Sequence, residues 1–147
     1  MAKSNFNYFH QLRVRWAEVD MQAVVFNGHY LTYFDVALTE YWRAVHLPSP
    51  LLQAEQGIEL FVKKASLEYH ASAQFDDVLD IGVRCSQIGN SSLVILLEIY
   101  RNELLLVSGE MIYVYVNTST QKSTPIPSSW IEMLCEFETA TAILRKN

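Results

Sequence analysis

Apolar and polar positions alternate between Tyr8 and Trp16, with Tyr8, Leu12, Val14 and Trp16 on one side and Gln11, Arg13 and Arg15 on the other. A period of two marks a half-buried strand, and only His10 interrupts its apolar face. From His29 the period becomes helical. Tyr30, Tyr33, Phe34, Ala37, Tyr41 and Val45 recur at helix spacing, and Leu31, Leu38 and Trp42 widen the stripe, so the pattern predicts a mostly buried helix over 29–45. His46-Leu47-Pro48-Ser49-Pro50 ends it, because proline removes backbone donors and drives the preceding residue out of the α region. After a loop, four strands are expected at about 58–71, 78–88, 92–101 and 104–117, separated by short turns at Asp76-Asp77, Gly89-Asn90 and Asn102-Glu103.

Leu79, Ile81, Val83 and Cys85 alternate with Asp80, Gly82, Arg84 and Ser86, which gives that strand one buried and one polar face. The stretch 104–117 is apolar on both faces and is read as a sheet edge that pairs with another copy of the chain. A last amphipathic segment, 127–137, opens on Pro127 and sets Trp130, Ile131, Leu134 and Phe137 on one side, as a short terminal helix would. A strand, a long buried helix and four antiparallel strands describe an α+β domain whose curled sheet wraps one helix.

The 147 residues suit one domain, with no repeat, low-complexity stretch or linker to divide them. Half are hydrophobic, enough for extensive burial and for a subunit interface besides. A net charge of −5 repels a phosphate backbone and excludes wholesale nucleic-acid binding, while leaving room for one phosphate-bearing small molecule. Cys85 and Cys135 lack redox-motif spacing and read as reduced thiols. No apolar segment follows Lys3, and runs such as Leu93 to Leu97 are too short to span a bilayer, so the cytoplasm is the expected compartment.

The segment from Trp16 to Tyr30 carries the candidate chemistry. Glu18 and Asp20 precede the apolar run Val24-Val25-Phe26, and Asn27-Gly28 then opens a helix whose first amides have no intrahelical partner. Acyl transfer needs a group that attacks or activates water and donors for the oxyanion, and this segment offers both: Asp20 for the first, the backbone N–H near Asn27 for the second. A second reading stays open on spacing alone, in which Asp20 is a turn residue and Asn27 a helix cap.

Arg13 to Trp42 resembles the opening of the 4-hydroxybenzoyl-CoA thioesterase-like hotdog family, whose members carry a D/E-x-D element, a G-V-V-[YF] run, a polar residue and a Tyr in that order. The similarity continues through Glu68 to Leu79, with its aromatic-Asp-Asp-x-Leu turn. It implies a hotdog fold, a coenzyme A thioester as substrate with no further cofactor, and a homodimer or homotetramer whose acyl site lies at a subunit junction. It places Asp20 on the catalytic aspartate, Asn27 on the helix-opening amide and Tyr30 on the tyrosine of the first helical turn, and makes Phe26, Gly28, His29 and Tyr30 candidate substrate-binding residues. The Gly89-Asn90-Ser91-Ser92 turn is similar in position to segments that touch the coenzyme A tail, which makes Ser91 and Ser92 candidate contacts. Ala23 stands where the family has Gly, and Asn27 where several members have His.

Related hydratases show D-x4-H, but the fifth residue after Asp20 is Val25. A non-catalytic thioester-binding protein of the same fold is the alternative that activity on a panel of acyl-CoAs separates from an enzyme. Glu40 either reaches the site or pairs with Arg43 on the helix surface. Lys63, Lys64, Arg84 and Arg101 are the basic candidates for a coenzyme A phosphate. The histidines and cysteines share no ligand spacing, so no metal is expected.

Overall fold

The central helix α1 runs His29–Val45 and buries Tyr30, Tyr33, Phe34, Ala37, Leu38, Tyr41, Trp42 and Val45, the stripe that the sequence sets at helical spacing. It ends at His46, which adopts a left-handed conformation (φ 70°) and turns its N–H back to the carbonyls of Arg43 and Trp42, ahead of Pro48. The computed structural model describes residues 3–138 and 143–145. The strands are β1 (Tyr8–Arg13), β2 (Ile58–Tyr69), β3 (Val78–Ile88), β4 (Ser92–Arg101), β5 (Leu104–Asn117), β6 (Lys122–Ser123) and β7 (Leu144–Arg145); the shorter helices are α2 (Pro50–Glu55) and α3 (Ser128–Phe137). The main sheet has the order β1-β3-β4-β5-β2, antiparallel throughout, with β6 added to β5 and β7 parallel to β3. It curls around α1, the hotdog arrangement that the resemblance implies.

Side chains of α1 meet Leu79, Ile81, Val83, Ile95, Leu97, Val107, Met111, Tyr113 and Tyr115 in one hydrophobic core. The closest seat lies at Gly109 in the middle of β5. A Cβ there would stand 2.4 Å from the Phe34 ring and 2.8 Å from the Ser66 carbonyl oxygen, so only glycine lets helix and sheet approach this far.

Four expectations need correction. The first strand stops at Arg13: Val14 donates to the Asp77 carbonyl (2.8 Å), the chain turns through a 3-10 turn at Trp16–Glu18, and Trp16 is 69% exposed against Phe75. Its place in the alternation does not reflect strand burial. The break at Pro48-Ser49-Pro50 also starts helix α2, with Pro50 in its first turn and the Ser49 hydroxyl accepting the Leu52 N–H. The strand expected over 58–71 ends at Tyr69. Finally β5 is no edge, since it lies between β4 and β2. The long edge is β2, along which Phe61, Val62 and Tyr69 are exposed.

Beyond α3, whose Trp130 and Leu134 are buried, Glu138 turns inward. Its Oε2 accepts the Cys85 N–H (2.9 Å) and the Tyr41 hydroxyl (2.9 Å). Cys85 lies past Val83, the last β3 residue that β1 pairs, so the carboxylate takes an amide that the short strand leaves over.

Candidate active site at the start of the central helix

The chain between β1 and α1 folds back on itself. Val19 and Val25 form an antiparallel bridge, Asp20 N–H donates to the Val24 carbonyl (2.9 Å), and Ala23 N–H donates to the Asp20 carbonyl (3.0 Å). The tight return puts Ala23 at φ 61°, in the left-handed region where glycine is at ease. Alanine therefore keeps the backbone angle that the family's glycine favours. Asp20 is exposed at the head of this loop, and its Oδ1 accepts the Gln22 N–H (2.8 Å).

Glu18 is the buried carboxylate of the pair, at 6% exposure. Its Oε1 accepts the Arg15 N–H (2.8 Å) and the Tyr33 hydroxyl (2.9 Å), while Oε2 accepts two guanidinium N–H groups of Arg15 (2.7 and 3.2 Å). Burial pushes its carboxyl up, but the bonds from Arg15 and Tyr33 outweigh that and hold it below the usual carboxylate range. Burial and the Glu18 charge push the Tyr33 phenol far above its ordinary value, so it remains a donor.

At the helix start, His29 N–H returns to the Phe26 carbonyl (2.9 Å) and Tyr30 N–H to the Asn27 carbonyl (3.4 Å). Among the described residues the Asn27 and Gly28 N–H groups meet no protein acceptor. They lie at the positive end of the α1 dipole, where an anionic oxygen is favoured. Phe26 is exposed on the loop and edge-on to the His29 ring. Tyr30 is buried, and its hydroxyl oxygen accepts the Ala73 N–H (3.0 Å), which fastens the β2–β3 loop to the helix.

A cavity of about 200 Å³ opens beside these amides, lined by Asn27, Tyr30, Tyr69, His70, Ala71 and Ser72. The structure thus brings Asn27 and Tyr30 together with a segment some forty residues on, and Asp20 stands outside that lining. Tyr69, His70 and Ser72 were not singled out as site residues from the sequence, although all three fall within the second stretch of resemblance. Antiparallel β2 carries them back to the helix start, a placement no local pattern reveals. Arg101 belongs to the same end: it pairs with Asp77 (2.7 Å) and donates to the Ser72 carbonyl (3.3 Å), which steadies the loop. Glu40 pairs with Arg43 on the helix surface (2.7 Å). Ser91 and Ser92 sit at the opposite end of β4 from Arg101, roughly 30 Å away along the strand. Within one protomer they do not share the site.

A second cavity of about 420 Å³ lies between α1, α2, β2 and β5, with Leu38, Trp42, Ile58 and Leu60 as its apolar wall and Asp35, Thr39 and Tyr113 as polar points. No group of His, Cys, Asp and Glu suited to a metal occurs among the described residues, and no described helix is long and apolar enough to cross a membrane.

The family model of the thioesterase-like superfamily matches residues 14–136. The chain is 31% identical over 128 residues to the acyl-CoA thioester hydrolase YbgC of Escherichia coli, a match that covers 86% of this chain and 92% of that protein. It is 27% identical over 116 residues to the acyl-CoA thioesterase YbgC of Haemophilus influenzae, covering 79% and 85%. Among solved structures it is similar to Slr0204, a 1,4-dihydroxy-2-naphthoyl-CoA thioesterase from Synechocystis, with a TM-score of 0.82 at 22% identity over 88% of this chain and 96% of that one. That last likeness bears on the fold alone, and the fold is the same.

Proposed function

The chain belongs to the thioesterase-like superfamily, and from that membership we infer that it is an acyl-coenzyme A thioesterase working at the β1–α1 loop. The observation that carries the site is the pair of open amides at Asn27 and Gly28, next in the chain to a loop that presents Asp20 to solvent. The thioester carbonyl oxygen would rest on those amides, which gain strength as it becomes an oxyanion. Asp20 would then attack the carbonyl carbon or take a proton from the water that does. By the first route the C–S bond breaks, coenzyme A leaves as the thiol and a water then hydrolyses the acyl-aspartyl anhydride; by the second the water adds to the carbonyl directly and coenzyme A leaves as the thiol; both end in a free acid. The smaller cavity beside these amides, lined in part by Tyr30, Tyr69 and Ala71, would take the near end of an apolar or aromatic acyl group.

The working unit in this reading is at least a pair of protomers joined along β2, whose exposed Phe61 and Val62 and unpaired edge amides suit a second copy. The two free thiols suit the reducing cytoplasm. The test is Asp20→Asn, assayed by thiol release from butyryl-, octanoyl- and benzoyl-coenzyme A. An amide matches the carboxylate in size but neither attacks nor accepts a proton, so kcat should fall by at least about 100-fold with the fold intact. Wild-type turnover by that variant would refute the assignment.

A further inference from the structure

Glu18 has the wrong surroundings for a group that reacts and the right ones for a group that holds. It is buried, every bond to its two oxygens is a donor from this chain, and it does not line the cavity beside Asn27. The places it ties together are informative. Through Arg15 it closes the turn by which the chain leaves β1, and through Tyr33 it reaches one turn into α1. Its own backbone carbonyl accepts the Phe26 N–H (3.1 Å), one residue before the open amide of Asn27. The Val19–Val25 bridge follows at once, and Asp20 comes next.

One residue thus joins the rising leg of the Asp20 loop, its returning leg and the helix that presents the amides. We propose that Glu18 is the positioning residue of the site, an ionised latch that fixes Asp20 against the helix-start amides by anchoring both legs of the loop to Tyr33. The inference rests on the reading of Asp20 and the Asn27–Gly28 amides given above.

The chemistry of the latch explains the residue type. Four N–H and O–H donors converge on two oxygens, a set that only an ionised carboxylate satisfies in full. Glutamine would turn an NH₂ toward either the guanidinium or the Arg15 N–H, setting donor against donor. Aspartate, one methylene shorter, would keep the charge but not reach Arg15 and Tyr33 together. The returning leg is also tied to the β2–β3 loop, by the Val25 N–H to the Ala73 carbonyl (2.9 Å) and the Val24–Gln74 bridge, while the rising leg, on which Trp16 and Asp20 are exposed, meets α1 through the Glu18–Tyr33 bond. Loss of the latch should therefore move Asp20 by a fraction of the loop's width without unfolding the domain, whose core lies between α1 and the sheet.

The test compares Glu18→Gln, Tyr33→Phe, Asp20→Asn and the double variant Glu18→Gln/Asp20→Asn. Each is assayed by thiol release on whichever of butyryl-, octanoyl- and benzoyl-coenzyme A turns over fastest, with circular dichroism and thermal melting alongside. Misplacement of a reacting group by about 1 Å costs about 100-fold, so Glu18→Gln should lower kcat by about 10- to 100-fold. Its KM should stay within about threefold, because the amides and cavity that bind substrate are untouched. Tyr33→Phe removes one bond and leaves the ring in the core, and should lower kcat in the same sense by about three- to tenfold. This variant keeps the proposal testable should Glu18→Gln fail to fold.

A latch acts only through what it holds. Glu18→Gln should therefore add almost nothing to the loss already caused by Asp20→Asn. Wild-type kcat in both Glu18→Gln and Tyr33→Phe, with Asp20→Asn inactive, would overturn the latch and leave the site reading standing. A full multiplicative loss in the double variant would also overturn it, by showing that Glu18 acts independently of Asp20. An active Asp20→Asn would remove the site reading itself, and the latch with it.

Discussion

Gly109→Ala tests how tightly the helix that carries the site is seated. The added methyl would lie 2.4 and 2.9 Å from two carbons of the Phe34 ring and 2.8 Å from the Ser66 carbonyl oxygen. Ordinary contact begins near 3.4 Å, so the ring must retreat by about 1 Å, yet Phe34 is 1% exposed and belongs to the buried core, where side chains are close-packed. The carbonyl cannot swing aside alone, because Ser66 is paired with Glu110 across the β2–β5 ladder. Overpacking of this kind costs about 1–3 kcal/mol. For a chain of this size it should lower Tm by about 4–12 °C, read by calorimetry at one fixed protein concentration so that association does not move the midpoint.

Because α1 would ride up from the sheet, its first amides should shift relative to the β2–β3 loop. Turnover should then fall even well below the melting range. Phe34→Leu removes the ring carbons that meet the methyl, so the double variant should lose less stability than the two single changes summed, by about 1 kcal/mol. Strict additivity, or a Gly109→Ala protein with wild-type Tm and turnover, would refute the idea that this contact sets the height of the helix.

Two further expectations concern single groups. At Ala23, φ 61° disfavours any side chain by about 1–2 kcal/mol, while glycine adds about 0.4–1 kcal/mol of unfolded-state entropy, so Ala23→Gly should be neutral to slightly stabilising in chemical denaturation. A clear loss of stability would contradict it. At Glu138, burial raises the carboxyl above its ordinary value, ahead of the opposing pull of Tyr41, Cys85 and Arg84. A raised folded-state value contributes stability that is fully present below the unfolded value and lost as pH rises through the folded one. Glutamine can keep both Oε2 bonds through its own oxygen, so Glu138→Gln should match the wild type near pH 4 and exceed it by pH 8 in urea titrations; parallel pH profiles would refute this.

Much of this molecule was legible because its elements are strongly periodic. The helix 29–45 and the strands 78–88, 92–101 and 104–117 stand where the apolar pattern sets them. The errors share a cause, since pattern reports burial without reporting what does the burying. Val14 is covered by core rather than held in a strand, and Trp16 kept the rhythm of β1 while standing in solvent. The stretch 104–117 is apolar on both faces because Met111, Tyr113 and Tyr115 belong to the core, Tyr113 against Trp42 of α1 and Tyr115 against Trp130 of α3, while Ile112 and Val114 are half-buried on the outer face, a central position mistaken for an edge. At the site, the loop from Glu18 to Tyr30 is local and could be read. Tyr69, His70 and Ser72 arrive from the far end of a twelve-residue strand, and only the sheet register reveals them.

The unequal length of the two sheet margins bears on how growth of an assembly stops. β2 offers twelve residues of backbone and β1 six, so a β2–β1 contact between copies would leave half of β2 without partners, whereas β2 against its own twin can match from end to end. The first arrangement would close into a ring or run on as a filament, each copy offering a fresh margin to the next, and the second would consume both long margins in one step. A ladder read about a two-fold axis would thus end at two copies along the long margins, leaving only the six-residue β1 strands to extend it.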